Sequence, residues 1–392
     1  MTLDTNVRDK FPDALRGFAL LGIAIVNLPF LAIATLLGPE ATDLSKLENS
    51  VPFVVMMGLF TAKFYLLFSF LFGYSAQYII QGDKANRRRW VFRCLGLILL
   101  GVLHFTFLFH GDILFLYGLF GLLLLAFYFR SDKTLKVWSW VIYGLTALAF
   151  FALSALTLLG EAFFAMKGKP LPELPGSMDE FGLDAAISSG GFLDAIVPRL
   201  TTWVFAAPQA LFLQGTLVLV GFLIGVLVSR KRGLTEVNPR LMKRYLRLGL
   251  GLGLPLQLLS AFMLLNNELG SGSFGLYLGA LGMIFLSAPL LSAAYVACIW
   301  FLLNSGKELR LLRSAGKMSL TIYLSQSLIF STLFSAWGFG WFGELNLSQT
   351  MIVSIAVWLT LSTLAMIYLK YRNKGPMEAL LSSFSKLFVR RK

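Results

Sequence analysis

Apolar residues in this chain come in long unbroken runs, separated by short stretches of charge, glycine and proline. Runs of that kind predict α-helices over residues 14–37, 52–80, 91–109, 112–129, 137–164, 203–229, 245–265, 276–303, 318–337 and 350–370. Several hold about 18 or more residues of low charge, enough to cross a hydrocarbon core. The expected fold class is all-α: a polytopic integral membrane protein with about ten transmembrane helices. The stretch 91–121, VFRCLGLILLGVLHFTFLFHGDILFLYGLFG, organises the rest. As a single helix, residues 95–129 would extend about 52 Å, against a core of about 30 Å. The chain must turn there, and the only polar break with a glycine is His110-Gly111-Asp112.

Composition agrees with the pattern. Hydrophobic residues make up 57% of the 392 and charged residues 14%, against about 25% charged in an average soluble domain, and the mean hydropathy is +0.74. No polar region is large enough for a soluble domain. One integral domain over residues 1–374 is expected, followed by a cytoplasmic amphipathic tail helix over 375–392, whose Met377, Leu380, Leu381, Phe384, Leu387 and Phe388 recur at helical spacing. The Arg390-Arg391-Lys392 end would help that helix hold anionic lipid.

The net charge of +14 does not point to nucleic acid, because 29 of the 34 basic residues fall in alternate loops between apolar runs. That bias is a topology signal, and it places both termini in the cytoplasm of a multi-pass protein of the cell inner (plasma) membrane, with His110 and Asp112 at the extracytoplasmic face. Ala32-Ile33-Ala34 imitates a signal-peptidase site, but the apolar run from Phe18 to Leu37 is longer than an h-region of about 7 to 15 residues, so the first helix is expected to stay uncleaved. Residues 165–202 form the longest extracytoplasmic loop, with three prolines near its start and room for short amphipathic pieces over 181–197; a lid or a simple tether are both open. Pro29, Pro255 and Pro289 fall within predicted helices and should kink or break them. Glycines in 248–254 and 276–283 suggest close helix packing.

Chemistry-bearing residues are few. Cys94 and Cys298 suit reduced structural thiols. Two histidines without clustered carboxylates make a metal site unexpected, and neither nucleotide-binding glycine motif occurs. His104 lies about six residues, or roughly 9 Å, below the hairpin tip, and an ionisable group at that depth is a functional candidate. Histidine suits general-base work near neutrality, and Asp112 is the carboxylate nearest in sequence, although an ideal hairpin would leave it nearly two turns above His104. Tyr117 on the returning helix lies at a similar depth, as do Asn27 and Gln326, with Gln214 and Gln257 also toward mid-membrane. Lys63 stands inside the second helix as a site residue or a snorkelling one.

Four stretches taken together resemble the YeiB-like family of bacterial membrane proteins, which carry a C-terminal domain of unknown function (418): DALRGFALLGIAIVN at 13–27, KFYLLFSFLFG at 63–73, GVLHFTFLFHGDILFLYGLFG at 101–121 and GKMSLTIYLSQSLIF at 316–330. GPMEALL at 375–381 resembles that family's terminal G-P-L-E-W element, with Ala379 in the place of the tryptophan. Such proteins are similar to a wider group of transmembrane acyltransferases that includes heparan-alpha-glucosaminide N-acetyltransferase. The resemblance implies transfer of an acyl group, acetyl from acetyl-CoA, to a hydroxyl or amine of an extracytoplasmic glycan, lipid or small molecule. It makes His104 the base, Asp112 its orienting partner, and Arg16, Arg87 and Arg88 the candidates for CoA phosphates. Asn27, Lys63, His110, Tyr117 and Gln326 are the candidate substrate-contacting or site-building residues. Membrane lipids and the acceptor are the expected partners, with a homo-oligomer left open. The alternative is a transporter or permease, which buried polar residues and proline-broken helices also suit.

Overall fold

A computed structural model describes residues 10–169, 181–270 and 272–387. Its helices run in chain order α1 Lys10–Asn27, α2 Pro29–Ala32, α3 Leu47–Val55, α4 Lys63–Ile80, α5 Arg87–Phe107, α6 Leu114–Tyr128, α7 Asp132–Met166, α8 Leu183–Ser189, α9 Ile196–Gln209, α10 Gly215–Arg230, α11 Pro239–Leu248, α12 Leu254–Leu269, α13 Phe274–Asn304, α14 Arg310–Lys317, α15 Ser319–Phe334, α16 Leu347–Tyr368 and α17 Pro376–Leu387. Among the described residues there is no strand.

Among the described residues, seven segments are long and apolar enough to cross a membrane: Leu47–Ile80, Lys84–Phe107, Asp132–Met166, Ile196–Arg230, Pro239–Leu269, Phe274–Asn304 and Leu347–Tyr368. Leu114–Tyr128 and Ser319–Phe334 are shorter apolar helices. The window 14–37 splits, because Pro29 has no N–H to continue the ladder; α1 stops at Asn27 and Pro29 opens α2. The window 52–80 is also interrupted, by one turn of π-helix at Met56–Phe60 and by Ala62 at φ 71°. Similar π-turns join α9 to α10 and α11 to α12. Pro289 sits inside a continuous α13.

The expected loop 165–202 is largely helical where it is described. α7 reaches Met166, α8 packs Leu183 and Ile187 beside Phe342, and α9 begins at Ile196. Its proline-rich part, 170–180, lies outside the described residues, as do Arg8, Phe388 and the basic tail 390–392.

Small residues set the helix spacing. Gly73 of α4 faces the Phe222 backbone of α10, and Gly225 of α10 faces the Phe70 carbonyl of α4, so a Cβ at either position would collide with backbone. Gly275, Gly279 and Gly282 of α13 lie against Leu158, Ser154 and Phe150 of α7. Close approach of this kind lets dispersion hold helices together where lipid supplies no hydrophobic drive. α7 turns Trp140, Leu148, Leu156 and Leu159 outward, the apolar face expected against lipid. α17 does not lie apart from the bundle: Leu381 is buried, Phe384 meets Phe92 edge-on, and both pack over Gly96 of α5.

Candidate functional site

The site begins with how α5 ends. Both Leu108 N–H and Phe109 N–H return to the His104 carbonyl, at 2.9 and 3.0 Å, and the helix unwinds there. The two carbonyls this releases find partners elsewhere: Arg199 Nη1 of α9 donates to Phe107 O at 3.0 Å, and Ser331 Oγ of α15 donates to Leu108 O at 3.0 Å. With residues 108–113 off the helix, the chain folds back and brings Asp112 down to His104. His104 Nδ1 and Asp112 Oδ1 are 2.8 Å apart, with both side chains excluded from solvent. Gly101 makes this possible, because a Cβ there would meet the Phe115 backbone and Asp112 Oδ2. The expected separation of nearly two turns is corrected: it assumed an intact helix to His110.

Asp112 Oδ2 also accepts the Phe115 N–H at 2.7 Å, so the carboxylate caps the first turn of α6 while holding the imidazole. An acceptor-only carboxylate requires Nδ1 to carry the proton, and in the neutral imidazole this leaves Nε2 with a lone pair. That nitrogen is buried and has no hydrogen-bond partner among the described residues. The Tyr323 ring lies 5.1 Å and the Phe109 ring 6.3 Å from the imidazole, centroid to centroid.

Beside the dyad lies a cavity of about 430 Å³, walled by His110, Gly111 and Asp112 on one side and by α1, the Met56–Phe60 π-turn, α9 and α13 on the others. This is within the range of small-molecule sites. Asn27, Thr35, Glu40 and Tyr277 line it too. His104 stands behind Asp112 and is not part of the wall. α8 is fixed next to the cavity, since Asp184 accepts from Thr35 N and Oγ1 at 2.9 and 2.5 Å. Burial and the neighbouring Glu268 push the Glu40 carboxyl up to about 7, against a hydrogen bond from Tyr277. Burial and the nearby Arg199 cation push His110 down to about 4, so it is neutral around neutrality.

The remaining candidates are scattered. Tyr117 donates to Tyr65 O at 2.8 Å, beside Ser69, and it is Asp112, not the depth-matched Tyr117, that bonds to His104. Lys63 is fully buried and donates to Met57 O at 2.8 Å across the helix break, rather than snorkelling. Gln326 Nε2 is 3.5 Å from Leu20 O and Gln257 bridges α12 to α13 through Ile284 O and Ser287, both between packed helices. Gln214 lines the cavity.

At the other end of the bundle, Arg16 pairs with Asp13 at 3.1 Å. Arg87 and Arg88 are exposed, with Arg87 over the Phe129 ring, while Arg93 lies inward within electrostatic range of Arg16, Arg89 and Glu378. Sequence reading passed over Arg93, Tyr323, Arg199 and Glu40. Arg93, Leu97, Gly101 and His104 fall on one stripe of α5, at steps of four, four and three. Tyr323 precedes Gln326 by three, so those signals were present.

Residues 228–387 match the family model described as "Protein of unknown function (DUF418)". The chain is 26% identical to "Uncharacterized protein YxaH" of Bacillus subtilis (strain 168), over 95% of this chain and 93% of that one. It is 27% identical to "Uncharacterized 39.9 kDa protein in amylase 3'region" of Bacillus acidopullulyticus, over 93% and 90%. It is 26% identical to "Uncharacterized protein YeiB" of Escherichia coli (strain K12), over 93% of both. No solved structure matches the chain.

Proposed function

Taking the chain as a YeiB-like membrane protein with a DUF418 segment, we propose that it is a membrane-embedded acyltransferase, moving an acetyl group from cytoplasmic acetyl-CoA to a hydroxyl or amine held at the extracytoplasmic end. One observation carries the reading: a buried His104–Asp112 pair in which Nε2 is unpartnered among the described residues and Asp112 lines a cavity. Asp112 fixes the tautomer and holds the imidazole ring in place. His104 Nε2 takes the acceptor proton as its oxygen attacks the thioester carbonyl; the C–S bond breaks, and the same proton passes to the departing CoA sulfur. Movement of the 108–113 turn admits the acceptor to Nε2.

Donor phosphates meet Arg16, Arg89 and Arg93, whose guanidinium groups gather on the inner side of the basic end. Arg93 Nε is buried and has no partner among the described residues. Arg93 and His104 are 11 positions apart on one stripe of α5, about 16 Å, the distance the donor's arm has to cover. Between them Leu97 belongs to the buried apolar cluster that also holds Leu20 and Ile322, so the donor's arm reaches His104 only when that packing loosens.

The test is transfer of labelled acetyl from acetyl-CoA by membranes containing the protein, with His104→Ala expected to lose about a hundredfold or more. Full activity in a folded His104→Ala variant overturns the reading. The orientation is tested by reporters fused to each terminus, both expected to report cytoplasm in the inner membrane. A transport reading is favoured by the broken helix at Met56–Ala62, which lines the cavity. Solute uptake into proteoliposomes without acylation of any acceptor would select it.

A further inference from the structure

The cavity beside the hairpin turn has two unlike ends. Thr35, Glu40, His110, Asp112 and Tyr277 form a polar rim, whereas Met57, Phe60, Phe64 and Phe285 form a mostly apolar floor, with Thr61, Gln209 and Gln214 the polar side chains along the deeper wall. Tyr277, Leu281 and Phe285 reach it from one face of α13 at steps of four. The cavity therefore runs through eight residues of rise, about 12 Å along that helix. α1 repeats the gradient, with Asn27 at the rim side and Ile23 and Gly22 deeper. Aromatic stacking of Phe64 on Phe60 and on Tyr295 makes the floor a fixed surface.

A free sugar would leave that floor without an apolar partner, and a bare hydrocarbon would bury the rim unpaired. An amphiphile satisfies both ends. Charge narrows the headgroup: Glu40, with Glu268 beside it, and Asp112 stand at the rim, while Arg199 is directed onto the Phe107 carbonyl and His110 is the remaining basic group. A phosphate there would face carboxyl groups with no guanidinium lining the cavity among the described residues, so the headgroup is not anionic, and hydroxyl donors suit the carboxyl acceptors at the rim.

We propose that this cavity seats a neutral amphiphile, a hydrocarbon chain bearing a hydroxylated headgroup, and that such a molecule is the acceptor. The second half rests on the acyl-transfer reading. The headgroup hydroxyl oxygen bonds to the thioester carbonyl carbon, the C–S bond breaks, and His104 relays the hydroxyl proton to CoA sulfur, giving an ester and free CoA.

Two measurements on the full-length protein in phosphatidylcholine nanodiscs separate the halves. An octyl glucoside carrying a diazirine on its alkyl chain is photo-crosslinked and the adducts mapped. Adducts on Met57, Phe64 or Phe285, reduced about tenfold or more by Leu281→Trp or Ile23→Trp at unchanged Tm, support the cavity as the seat. Adducts confined to lipid-facing positions such as Trp140 and Leu148 overturn it, and this wild-type map decides the matter even if both variants fail to fold. In the second measurement, labelled acetyl-CoA is offered with octyl glucoside or with glucose. Transfer to octyl glucoside about tenfold or more above glucose supports the acceptor class. Equal or reversed preference overturns that class and leaves acyl transfer standing. Cavity adducts with transfer to neither acceptor support binding and remove the acyl-transfer reading.

Discussion

Asparagine at position 112 would keep the shape of the aspartate but not its two acceptors. One carboxylate oxygen now takes the His104 Nδ1 proton and the other takes the Phe115 N–H. An amide can accept only on its oxygen, so either the cap is lost or the imidazole is driven to the other tautomer. Asp112→Asn should therefore reduce acetyl transfer by about 10²- to 10⁴-fold and lower stability by about 1 to 3 kcal/mol, measured as initial rate and as unfolding in detergent. The basic end gives a paired prediction. Arg93→Ala should raise the donor KM about tenfold, the scale of one lost charge-assisted contact. Arg87→Ala should leave it unchanged, because Arg87 is exposed on the Phe129 ring.

Helix packing makes a similar contrast among glycines. Gly225 stands against the Phe70 carbonyl, and a larger side chain must push α4 from α10. Gly225→Leu should cost several kcal/mol, on the order of 3 or more, and appear as loss of folded protein on size exclusion. Gly251 faces open space, so Gly251→Ala should be neutral or gain up to about 1 kcal/mol. The helices themselves were legible in sequence because a membrane segment must be both apolar and long. The breaks at Met56–Phe60 and Ala210–Gln214 were not, since nothing in the local apolar pattern marks a π-turn. The His104–Asp112 contact was hidden for a related reason. Unwinding of 108–113 depends on Arg199 and Ser331, which are about 90 and 220 positions away and satisfy the freed carbonyls. The alignment of Arg93 with His104 was legible, because it needs only helical periodicity within α5. The exposed Arg87 and Arg88 were named ahead of Arg93 because a run of three arginines attracts notice that an isolated one does not.

Across the whole molecule, the two ends differ in chemistry: guanidinium groups gather at one and carboxyl groups at the other. Glu40 makes the acidic end responsive to pH. Its carboxyl lies near 7 when folded, against an ordinary 4.5, so the folded protein binds an extra proton between those values. That contribution to stability is present at the acidic side of the window and is lost as pH rises through about 7. Unfolding should occur a few degrees higher at pH 5.5 than at pH 8, and Glu40→Gln should flatten the difference, as followed by thermal scans in detergent.

The buried Lys63 also bears on how the chain enters the bilayer. A lysine at the centre of an inserting segment costs about 2.5 to 3.5 kcal/mol on translocon scales. Its acceptor, Met57 O, is only six residues upstream in the same segment, so one of the amine's donors has its partner before any later helix has been made. Ser292, which bonds to the Lys63 carbonyl, arrives more than two hundred residues afterwards. Membrane entry of Leu47–Ile80 is thus self-contained. A reporter placed after Ile80 should integrate normally in a chain lacking α13, whereas Lys63→Met should ease insertion yet release the π-turn that shapes the cavity floor.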